Sequence, residues 1–145
     1  MIRQAAIALV LMAGAASAAP VPKQLRAVPA TTGTWQIIAP DPKKPGGYIA
    51  ASGQYWIIDD ACGVIFCPTV VPPVGAKPTE IFKFDPISGH VDHTLVGGTQ
   101  RTLLGRFQLK DDILTICLDT VGTTRPEALQ EPASIWYLRR VKESR

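Results

Sequence analysis

The feature that most constrains this chain is a run of short strand-like segments between Thr34 and Val141, cut by turn residues, with no helical period between them. Alternation is clearest where Leu103, Gly105, Phe107 and Leu109 share one face while Leu104, Arg106 and Gln108 share the other. Leu114, Ile116 and Leu118 stand in the same way against Ile113, Thr115 and Cys117. A period of two is what a pleated strand with one buried face requires. The predicted segments are residues 34–38, 48–51, 54–58, 64–66, 80–84, 90–96, 102–109, 113–118 and 134–141, with 48–58 read as a hairpin around Ser52-Gly53. Roughly eight short strands joined in order predict an all-β sandwich or barrel. Closure removes exposed sheet edges, which favours a barrel over a sandwich. About eight strands leave an interior just wide enough for side chains or one small ligand.

Residues 1–18 read as a cleavable secretory signal peptide. Arg3 supplies the basic start, Ala5 to Ala13 the apolar run, and Ala16-Ser17-Ala18 the small-residue cut site. That run is shorter than the ~20 residues a membrane-spanning helix needs. No Cys stands at the cut, which argues against a lipoprotein anchor and for a soluble product, periplasmic or extracellular. Removing residues 1–18 leaves 127 of the 145 and takes away one charged side chain, so 14 Lys and Arg face 12 Asp and Glu. A formal net charge of +2 gives no electrostatic case for a nucleic-acid partner or an anionic membrane. Pro20, Pro22 and Pro29 mark residues 19–30 as a flexible Pro-rich leader, and residues 31–143 form the barrel domain.

Three cysteines in an exported chain leave one without a partner. Cys62–Cys67 is the first pairing to consider, although an extended chain holds them about 17 Å apart at ~3.3 Å per residue. A disulfide needs Cα atoms within about 7 Å, so this pairing demands a turn through Gly63. Cys67–Cys117, across neighbouring strands, is the competitor.

Residues arranged for chemistry are few. None of Ser52, Ser88, Ser134 and Ser144 lies in a Gly-x-Ser-x-Gly elbow. Asp59-Asp60 and Asp111-Asp112 fall where turns are expected, and Arg125-Pro126-Glu127 reads as a loop-fixing contact. His90 and Asp92 share a strand face with His93 on the other, so one face offers two metal ligands where a stable site needs three or four. No catalytic residue, metal or cofactor is assigned.

Several runs resemble a known family. Phe82-Lys83-Phe84-Asp85-Pro86, His90-Val91-Asp92-His93-Thr94-Leu95, residues 103–109 and 114–118, Arg125-Pro126-Glu127 and Tyr137-Leu138-Arg139-Arg140 are similar to a lipocalin-like domain family of uncharacterised bacterial proteins, abundant in planctomycetes. Gly33-Thr34-Trp35 resembles the Gly-x-Trp start of lipocalin barrels. The resemblance covers about residues 31–142, is loose from Asp41 to Pro78, and implies an all-β, eight-stranded antiparallel up-and-down barrel. It also implies a closed end in which Trp35 packs under Arg139 or Arg140, a contact worth about 0.5–2 kcal/mol. The family carries no established activity. The resulting expectation is an exported binding module for a small apolar ligand, with His93, Tyr48 and Trp56 as candidate cavity residues. The alternative is an envelope-associated structural or protein-interaction domain with a solid core and an envelope protein as partner.

Overall fold

In the computed structural model, residues 29–98, 101–120, 123–130 and 134–142 are described. They form eight strands: β1 (Gly33–Pro40), β2 (Tyr48–Ile58), β3 (Gly63–Cys67), β4 (Glu80–Asp85), β5 (His90–Leu95), β6 (Thr102–Lys110), β7 (Ile113–Leu118) and β8 (Ser134–Arg140). Each strand pairs antiparallel with the next, and β8 returns to β1, so the sheet is a closed up-and-down barrel. Among the described residues there is no helix, and hence none able to cross a membrane. The predicted signal peptide and residues 19–28 of the predicted leader lie outside the described residues.

The alternating residues take the expected faces. Phe107 pairs with Ile116 and Leu109 with Leu114, and the inward set Trp35, Trp56, Phe82, Val91, Ile116 and Leu138 is almost fully buried. Gly105 also faces inward, opposite Val91 and Leu118. A Cβ there would collide with the Cys117 carbonyl oxygen, so the close approach of β6 to β7 depends on glycine.

Turn chemistry sets the connections. Asp59 Oδ1 accepts from the backbone N–H groups of Ala61 and Gly63, and Cys62 takes a left-handed φ of 64° to close the β2–β3 turn. Asp111 and Asp112 both take positive φ in the two-residue β6–β7 turn, the conformation such hairpins require. At the β4–β5 turn, the Ser88 hydroxyl and the Ile87 N–H donate to Asp85 and hold its carboxyl below the usual carboxylate range.

Two expectations are corrected here. Residues 48–58 are one strand, not a hairpin. Between the pairs Gln36↔Tyr55 and Ile38↔Ala50, β1 offers one residue while β2 offers four, so Ser52-Gly53 forms a bulge. Cys62 and Cys67 are not bonded, and all three cysteines are free thiols. Gly63, the residue required to turn them together, begins the extended strand β3, which carries Cys67 away from Cys62.

One end of the barrel is closed by the chain leading into β1. Trp35 Nε1 donates to the Thr31 carbonyl at 2.8 Å, and Arg140 places its guanidinium 4.2 Å from the Trp35 ring centroid. The same guanidinium donates to the carbonyls of Thr32 and Ala30. Of the two arginines considered for this role, Arg140 fills it. Arg139 faces outward, because adjacent strand residues point to opposite faces, and donates to the Tyr48 carbonyl at 3.4 Å. The segment between β7 and β8 folds back over the outer face. Arg125 donates to the carbonyls of Val91 and Gly105 and pairs with Asp92 at 2.6 Å, while Arg106 donates to the Pro126 carbonyl.

Candidate functional site

At the opposite end, the starts of β4, β6 and β8 and the ends of β3, β5 and β7 surround a cavity of about 370 Å³. Its apolar wall is built by Trp56, Phe66, Phe82, Leu103, Leu118 and Trp136, each projected inward by the period of its strand. The aromatic rings interlock around Trp56: Phe66 meets it edge-on at 5.0 Å between centroids, Phe82 lies at 5.1 Å and Trp136 at 5.5 Å. Trp56 is buried, while Trp136 is 39% exposed and stands at the rim.

Two titratable groups enter this wall. His93 pairs in register with Phe82 and stacks on its ring at 4.4 Å, and its Nε2 lies 2.6 Å from Glu80 Oε2. His93 is buried and its Nδ1 has no hydrogen-bond partner. The arrangement that leaves no buried N–H unpaired puts the single ring hydrogen on Nε2, donating to the Glu80 carboxylate. Trp56 Nε1 is likewise buried and unpartnered. Thr120 and Ser134 supply hydroxyls, and no Lys or Arg lines the cavity among the described residues.

Of the candidate cavity residues, His93 and Trp56 meet in this cavity and Tyr48 does not. Tyr48 packs its ring 5.5 Å from that of Tyr137 and lines a separate, polar cleft of about 740 Å³, with Asp41, Lys44, Lys110, Asp111 and Arg139. That cleft is the larger hollow, but it lies beside the barrel and charges of both signs line it. It is a solvated groove between the β1–β2 loop and the β6–β7 turn. An apolar hollow of about 400 Å³ lies at the closed end against Pro29, Phe84, Pro86 and Phe107.

Glu80 and Trp136 were missed by the sequence reading, although the signal was present. Glu80, Phe82 and Phe84 alternate, as do Trp136, Leu138 and Arg140, and a period of two puts each set on one face. Asp92 points away from His93 and is engaged by Arg125, so the two do not converge. Neither a protein-family model nor a curated protein matches this sequence.

Proposed function

We propose that the chain is an exported, lipocalin-like binding module for a small, largely apolar ligand, held at the open end of the barrel. The observation that carries this reading is the 370 Å³ aromatic cavity, which falls within the ~300–1,000 Å³ usual for small-molecule sites. Its few polar groups, Glu80, His93, Thr120 and Ser134, suit the fixing of one ligand in one orientation. Part of the outer face supports a water-exposed barrel: Gln36, Lys83, Arg106, Gln108 and Arg139 interrupt its apolar positions and alternate with the buried inner set. A lipid-embedded barrel has the reverse pattern, with an apolar outer band. Export rests on residues 1–18, and the family resemblance on the runs from Phe82 to Arg140.

Native mass spectrometry of the protein purified from its own host tests this. The expected species begins at Ala19 and carries a non-covalent small molecule that collisional activation releases. A protein without any retained molecule, whose tryptophan emission is also unmoved by a panel of apolar small molecules, would sink the binding reading. An uncut N-terminus would sink the export reading.

The alternative, a protein-interaction domain, has one feature in its favour. Val70, Val71 and Val74 stand exposed on the loop between β3 and β4, Val71 at 70%.

A further inference from the structure

We infer that the ligand of the open-end cavity is an organic cation, an aromatic or alkyl amine, in preference to a fatty acid or other anion. This rests on the binding reading above and narrows it by charge.

Three observations carry it. First, among the described lining residues Glu80 is the only carboxylate and there is no Lys or Arg beside it. Its Oε2 is held by His93 Nε2 at 2.6 Å, and its side chain retains 22% exposure, which leaves the group open to a second donor. Second, the His93 ring meets Glu80 through Nε2 alone. A second ring hydrogen would sit on Nδ1, which is buried without a partner, and a buried unpaired N–H is unfavourable. The Glu80 carboxylate, which receives one N–H from the ring, keeps acceptor capacity for a second donor. Third, the remaining wall is rich in π faces, with Trp136 at the rim over Trp56 and Phe66 behind. Indole and phenyl faces attract an ammonium group electrostatically, most strongly when water is excluded. A carboxylate ligand in the same place would meet both a like charge and the negative ring faces.

The test compares three compounds with one apolar body: tryptamine, tryptophol and indole-3-propionate, titrated calorimetrically into the full chain at neutral pH. Tryptamine is expected to bind about tenfold or more tightly than tryptophol, the scale of one charge-assisted contact plus a cation–π contact, with indole-3-propionate weakest. In Glu80→Gln the amine-to-alcohol affinity ratio should fall to near one, and an unchanged ratio would overturn the charge inference. Should that variant unfold, Trp136→Leu at the exposed rim gives the second reading, and it should cost tryptamine more affinity than tryptophol. Equal affinities for amine and alcohol, or tighter binding of the acid, overturn the charge inference and leave the binding reading intact. If none of the three binds, the charge inference falls, and the mass spectrum of the host protein alone decides whether the cavity holds a ligand.

Discussion

At the scale of single residues, Arg140 and Cys117 concentrate most of the chemistry outside the cavity. Arg140 joins three groups through one rigid fork: the Trp35 face, the carbonyls of Thr32 and Ala30, and the Asp112 carboxylate 3.6 Å from its Nε. Arg140→Ala should lower unfolding stability by about 1–3 kcal/mol, since it removes a cation–π contact and charge-assisted hydrogen bonds together. Arg140→Lys should recover only part of this, because an ammonium cannot reproduce the planar fork. Urea denaturation of the two variants measures both. Cys117 sits on the outer face of β7, yet it is fully buried because the returning segment at Ala128 and Gln130 covers it. Burial raises its thiol pKa. A folded-state pKa above the unfolded one stabilises the fold below about pH 8.5 and loses that contribution as pH rises through the folded value. Stability should therefore decline above about pH 9, with a slope that Cys117→Ala removes. An unchanged slope in that variant would assign the alkaline loss to another group.

At the scale of elements, the barrel is unequally sewn. β6, β7 and β8 pair along their lengths, whereas β3 and β4 share only Gly63↔Ile81 and Val64↔Glu80 before the Pro-rich loop intervenes. Amide hydrogen exchange at Ile65 and Phe66, which pair with β2 alone, should be faster than at Thr115 and Ile116, which pair on both sides, because a strand held on one side opens at lower cost. Equal protection across the two regions would contradict this. The same inequality explains what could be read in advance. From Glu80 onward strict alternation and compact turns made the strands legible nearly to the residue, and β7 matches its prediction in full. Before Glu80, Ser52-Gly53 carries the composition of a hairpin turn, and composition does not separate a turn from a bulge, since both demand an irregular backbone. The resolving fact is non-local: β1 supplies a single residue opposite the four. Trp35 was legible through its Gly-x-Trp setting. The choice of Arg140 over Arg139, and the meeting of Glu80 with His93 across a strand pair, needed the register, which no single strand encodes.

At the scale of the whole molecule, the barrel is filled through its middle by Trp35, Phe82, Ile116 and Leu138, and hollow at its mouth. The filled centre supplies most of the stability, since buried apolar area is the main favourable contribution to folding. This frees the mouth to carry an unpartnered His93 Nδ1 and Trp56 Nε1. The chain reaches the barrel through Pro29 to Thr32 at the closed end, and β8 leaves it at the same end, where the Val141 N–H donates to the Thr34 carbonyl. Both flanks thus sit at the pole remote from the cavity. A label or tether placed at Pro29 or at Lys142 would therefore join the barrel at the end away from the cavity and leave its mouth unobstructed.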